Sequence, residues 1–335
     1  MRRSRLWSTF GIAVTSLLVW TAVSPVAGQT ANAPAPGAAS SWTAPRTPWG
    51  DPDLQGTYTN TYENGTPFER PDEFAGRRLD DIKGEELKKI KRDAQQRAIG
   101  AFQGPIHAPD NWWQDNLFLE RGSQAWFVVD PEDGKIPPMT AEARQRVAAR
   151  AEARKKSGRG PADSYEDRSL YDRCITRGLP GSMMPAIYGN QYQIVQAPGY
   201  VAIMYEMIHE TRIIPLDGRP AIGKQIEHDM GDARGRWEGD TLVVETTNFK
   251  ERSVYRNANP ARLKLTERFT RIGPNKVRWS VTVDDPTTWT RQWTFSLPLT
   301  ADPNPMPLYE CHEGNYGLKN ILSAARAEER AAGER

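Results

Sequence analysis

Of the four histidines, His209 has the neighbours that most suggest chemistry. Side chains along an extended chain alternate between two faces. Val201, Ile203, Tyr205, Met207, His209, Thr211 and Ile213 therefore share one side. That side is mostly apolar, so it is expected to point inward. In a barrel, inward means toward the cavity, where a histidine and a tyrosine would form a polar pair in an apolar pocket. His209 is then a candidate acid-base group and Tyr205 a candidate hydrogen-bond donor. The plainer alternative is a core histidine with locally satisfied nitrogens. Glu206, Glu210 and Arg212 fall on the opposite side and read as a surface ladder of ion pairs.

A second cluster, Cys311-His312-Glu313-Gly314-Asn315-Tyr316-Gly317, depends on the compartment. Arg2, Arg3 and Arg5 precede the uncharged apolar run Phe10 to Val23, which leads into Ser24-Pro25-Val26-Ala27-Gly28. A basic start, an apolar stretch of about 14 residues and a small-residue cleavage site make a secretory signal peptide. Such a stretch is too short for a stable bilayer anchor. The adjacent arginines admit the twin-arginine route, although Arg5 stands where that signal takes an apolar residue. In an oxidising compartment the only two cysteines, Cys174 and Cys311, read as one disulfide; two free thiols are the alternative. A bridge there would hold His312 and Glu313 near the strand mouth, as further candidate catalytic groups. His209, His312 and a carboxylate from Glu313 or Glu210 could complete a metal site, but no ligand spacing demands one. No metal or other cofactor is therefore assigned.

Three further groups could bind ligand. Trp289, Arg291, Trp293 and Phe295 alternate onto one face, an aromatic stripe whose arginine could meet a planar or carboxylate-bearing ligand; barrel packing is the bland alternative. Arg173-Cys174-Ile175-Thr176-Arg177-Gly178-Leu179-Pro180-Gly181 sets two arginines in a glycine-containing turn that could cradle an anion. It lacks the spacing and lysine of a phosphate loop. Asp284 and Asp285 are adjacent, so their side chains diverge, and a hairpin-capping turn explains them better than a glycosidase pair.

The elements that must position these residues are mostly strands. Gln191 to Leu299 shows β-rich runs joined by turn signals at Ala197-Pro198-Gly199, Leu216-Asp217-Gly218, Glu238-Gly239-Asp240 and Gly273-Pro274-Asn275. The last strand is expected over Trp289 to Leu297, stopping before Pro298. This pattern predicts a mainly β domain, an antiparallel meander curling into a lipocalin-like barrel or half-barrel. Ahead of it lies an irregular, partly helical N-terminal third. There, helices are expected near Arg78 to Ile99 and Thr140 to Lys156, the second capped by Thr140, and a strand near Gln124 to Val129. Leu318 to Arg330 reads as a C-terminal helix. The expected boundaries are a signal at 1–28, an Ala/Pro/Ser-rich tether at 29–47, the N-terminal region at 48–190, the β domain at 191–300 and a C-terminal segment at 301–335.

Composition narrows the partners. The chain has 44 basic and 42 acidic residues, and losing the three signal arginines leaves it close to neutral. Long-range attraction to nucleic acid is not implied, and no membrane insertion is expected after signal cleavage. Eleven tryptophans offer walls for a small-molecule ligand or bulk for a core.

The runs Arg173 to Pro185, Met204 to Pro220, Gly231 to Thr246 and Cys311 to Gly317 resemble a large family of secreted bacterial proteins of unassigned function. The resemblance spans about Pro48 to Ala325. Where family members often carry a histidine after Arg-Pro, this chain has Ala221. The resemblance implies a secreted or periplasmic location but supplies no activity, so it assigns no catalytic residue. Three readings follow. The first is an enzyme on a small organic or carbohydrate substrate, using His209 with Tyr205 and with Arg291 or His312 as an anion or orienting group. The second is a non-catalytic carrier of an apolar or aromatic ligand. The third is an envelope interaction module, which predicts a filled barrel and an exposed apolar patch.

Overall fold

A computed structural model describes residues 42–101, 122–186 and 188–333. The expected signal, most of the tether and the Trp112-Trp113 pair lie outside the described residues. Ordered packing begins before Pro48: Ala44 and Thr47 are buried, and Arg46 bridges to Pro52.

Ten strands form one antiparallel sheet: β1 (Gly56–Thr59), β2 (Val128–Asp130), β3 (Gln191–Ala197), β4 (Tyr200–Tyr205), β5 (Thr211–Pro215), β6 (Asp232–Glu238), β7 (Thr241–Thr247), β8 (Lys264–Gly273), β9 (Lys276–Asp284) and β10 (Trp293–Ala301). Their order is β5-β4-β3-β1-β10-β9-β8-β7-β6, with β2 also paired to β10. The two end strands, β5 and β6, face each other, so the sheet is a nearly closed nine-strand barrel. Among the described residues three longer helices accompany it: α1 (Gly84–Ala101), α2 (Ala141–Lys156) and α3 (Tyr316–Gly333). Thr140 caps α2, its hydroxyl accepting from the Ala143 N–H at 3.0 Å. Among the described residues no helix is long and apolar enough to cross a membrane.

The meander is interrupted once. β1, from the N-terminal region, lies between β3 and β10 and pairs with both. The barrel is therefore not confined to 191–300. β10 also begins and ends later than expected. The Asp285 carboxylate accepts the N–H groups of Thr287, Thr288 and Asn259 at 3.0, 3.1 and 2.6 Å. That turn delays the strand to Trp293. Pro298 then sits inside the strand, opposite Arg278. Ser296 donates to Phe127 on the β2 side, so the missing Pro298 N–H would point the same way. It faces the gap between β2 and β1, where a proline costs no ladder bond.

Inward positions fill the barrel. Tyr58, Tyr192, Tyr205, Phe269, Trp279, Trp293 and Phe295 are each no more than 1% exposed. Trp279 packs edge to face on Phe295 at 5.5 Å and Tyr192 on Tyr205 at 6.1 Å between ring centres, while Phe269 stacks on Trp279 at 6.5 Å. Leu179 and Met183 close the end beside Tyr192, where Asn60 donates to the Met183 carbonyl at 2.7 Å. Cys174 and Cys311 are disulfide-bonded, with Cα atoms 5.8 Å apart across 137 positions. The bridge ties the segment before β3 to the segment after β10.

The expected alternation through residues 201–213 fails in the middle. β4 ends at Tyr205, and the Tyr205 N–H donates to the Glu210 carbonyl at 3.0 Å. Within that short loop Ile208 and His209 both adopt positive φ, 68° and 53°. The slip reverses the faces: Arg212 and Ile214 point inward in β5, while Thr211 and Ile213 point outward. Arg212 is therefore no part of a surface ladder. It makes a bidentate ion pair with Glu267 on β8, inside the barrel, and Trp279 Nε1 donates to the same carboxylate at 3.1 Å.

Candidate functional site

The residues first read as catalytic do not come together. Tyr205 is wholly buried within the barrel, and burial pushes its hydroxyl well above the usual tyrosine range. His209 lies on the loop outside the strands. Its Nε2 accepts the Tyr309 backbone N–H at 2.8 Å, which places the ring proton on Nδ1. It is neither a core residue nor paired with Tyr205 in a pocket; its contact is with the segment that carries Tyr309. His312 and Glu313 are exposed. The Glu210 carboxylate accepts the Thr176 hydroxyl at 2.6 Å. Among the described residues no group of three or more His, Cys, Asp or Glu is placed to hold a metal ion.

The aromatic stripe is also divided. Trp293 and Phe295 are core residues of β10, and Trp289 packs on Trp293 at 5.6 Å. Arg291 lies in the turn before the strand, exposed and ion-paired to Asp130 at 2.9 Å. It does not share the Trp293 face, because the Asp285 turn breaks the alternation that placed it there.

Arg177 is different. The segment Cys174 to Met183 crosses the disulfide end of the barrel, and Arg177 lies half-buried within it. Its guanidinium stacks over the Tyr171 ring, 5.3 Å from the centre. Its Nη1 is buried without a hydrogen-bond partner. The Tyr171 hydroxyl donates to Tyr188 at 3.3 Å, and the Tyr188 and Tyr309 rings lie 6.0 Å apart. Burial pushes the Tyr309 hydroxyl up to about 12, with Tyr188 adding to the shift. Burial likewise raises Tyr171 and Tyr192. These phenols stay protonated and able to donate at neutral pH. Burial also raises Glu206, opposed by the backbone N–H donors it accepts and by Arg177. The Arg177 charge thus reaches four groups from four segments. The tyrosines carried no signal in the sequence beyond their nearness to the two cysteines.

A concavity of about 620 Å³ is lined by Arg154, Arg159 and Arg168 and by Glu166, Asp167 and Asp172, three positive and three negative side chains. Arg159 pairs with Asp167 at 2.9 Å and Arg168 with Asp172 at 3.2 Å. The concavity presents no unbalanced charge to a ligand.

No family model matches the chain, and no curated protein matches it. Among solved structures it is similar to a secretary abundant heat soluble (SAHS) protein from Ramazzottius varieornatus. Identity is 11% over 40% of this chain and 87% of that one, with a TM-score of 0.25. That similarity carries no information about function.

Proposed function

We propose that this is a secreted or periplasmic binding protein without catalysis of its own. Its ligand would be a small anion with an aromatic or other planar body, held at the disulfide-clasped end of the barrel. One observation carries the reading: a half-buried arginine with an unpartnered buried donor, stacked on one tyrosine of a three-tyrosine cluster. A buried donor left unpaired is costly, and a ligand carboxylate is the partner that suits a guanidinium best. Tyrosine rings and protonated phenols suit the rest of such a ligand. The packed barrel argues against a site in the lumen. The signal-like N-terminus, the disulfide and the resemblance to secreted bacterial proteins support the compartment.

The test is calorimetric titration with a panel of aromatic carboxylates, beginning with benzoate. Saturable binding is expected, weakened about tenfold or more by Arg177→Met and left intact by Tyr205→Phe, with unchanged melting temperature in the first variant. Binding indifferent to Arg177→Met, or none across the panel, would overturn the assignment.

A further inference from the structure

The barrel exterior is electrostatically divided. On β6 to β9 charged side chains stand among outward threonines and a serine and are laced together: Arg236 bonds Glu238 and Glu245, Arg268 bonds Glu238, and Lys264 faces Asp284. On β3 to β5 the paired outward positions carry no formal charge. Ladder register sets them in rows. Ala197, Tyr200 and Pro215 form one row, and Val195, Ala202 and Ile213 the next. Gln193, Met204 and Thr211 continue the face. Val195 is 48%, Tyr200 40% and Ile213 64% exposed. Ile213 belongs to this face only because of the slip at Ile208 and His209.

We propose that this face docks a second copy of the chain by two-fold packing. The electrostatics select an uncharged partner: a charged side chain laid here would be desolvated with no counter-charge. The relief selects a copy of itself. One row runs small, large, small; the other runs large, small, large. A two-fold axis in the interface, perpendicular to the strands and midway between the rows, sets each row against the other. Tyr200 then lies on Ala202 of the second copy, Val195 on Ala197, and Ile213 on Pro215. Every large side chain meets a small one, as an isologous interface between sheets requires. Arg219 lies over the Tyr200 ring, 5.6 Å from its centre, donates to the Tyr200 hydroxyl at 2.7 Å and is ion-paired to Asp217, so its charge is met within the same chain.

Sedimentation velocity on the protein with Cys174 and Cys311 oxidised tests this. A reversible dimer is expected, dissociating about tenfold or more readily in Ala202→Lys, with melting unchanged because the residue faces outward. Mixing Val195→Cys with Ala197→Cys under mild oxidation should give a covalent dimer, whereas Val195→Cys alone should not, since its two copies are a row apart. A monomer at every concentration, a dimer indifferent to Ala202→Lys, or cross-linking that ignores this pairing would overturn the proposal. Binding of the monomer to neutral lipid vesicles through Ile213 would also overturn it, giving the face to a membrane instead.

Discussion

Removing either member of the Arg212–Glu267 pair leaves the other charge inside the barrel with no counter-charge, at a cost of about 3–5 kcal/mol. Arg212→Met and Glu267→Gln should each lose about that much stability in urea unfolding. Arg212→Met combined with Glu267→Leu should recover most of the loss, because both charges are then gone. Single losses below about 1 kcal/mol would show the pair to be solvated. Trp279 adds a donor to the same carboxylate, so the polar centre is braced by the aromatic core around it. Arg177 also keeps one buried donor unpaired, Nη1, as Arg212 does at Nε, but it lies half-buried on the segment at the barrel end rather than in the core. Its chemical type was visible in the sequence. Its aromatic surroundings were not, because Tyr171, Tyr188 and Tyr309 meet it only through tertiary packing.

The barrel closes where β5 meets β6, and Gly235 makes the approach possible. A Cβ there would lie 2.5 Å from Leu216 Cδ2 and 2.8 Å from Ile214 Cγ2. Gly235→Val should force the seam apart, with a stability loss of about 1–3 kcal/mol in urea unfolding. A variant as stable as the parent would mean that the seam is already loose. The hairpins on either side were legible from local signals: Pro198-Gly199, Gly239-Asp240 and Pro274-Asn275 each fall between paired strands. The apolar spacing marked α1, although it starts at Gly84 with Leu79 to Asp81 as a separate turn, and the Thr140 cap marked α2. What local signals could not carry was non-local or conformational. β1 is four residues long and takes its place only by pairing with β3 and β10. The slip before β5 needs two consecutive positive φ values, at Ile208 and His209, and a β-branched isoleucine rarely adopts that conformation. That single loop separated His209 from Tyr205, carried Arg212 inside and put Ile213 on the surface.

At the scale of the molecule, the barrel is a packed core rather than a container. Its interior is taken up by large rings and one ion pair, and one end is closed by Leu179 and Met183. In the chain-entropy view the disulfide contributes about 4–5 kcal/mol by closing so long a loop. It also fixes the C-terminal segment, from which Tyr309 reaches both His209 and the tyrosine cluster. The proposed binding site therefore lies at the clasped end rather than in the lumen. The most direct test is an NMR titration with tyrosine-labelled protein and benzoate. Shifts are expected in Tyr171, Tyr188 and Tyr309, with Tyr58 and Tyr205, deep in the barrel, unmoved. Shifts led by Tyr58 and Tyr205 would place the ligand inside the barrel and contradict the site at Arg177.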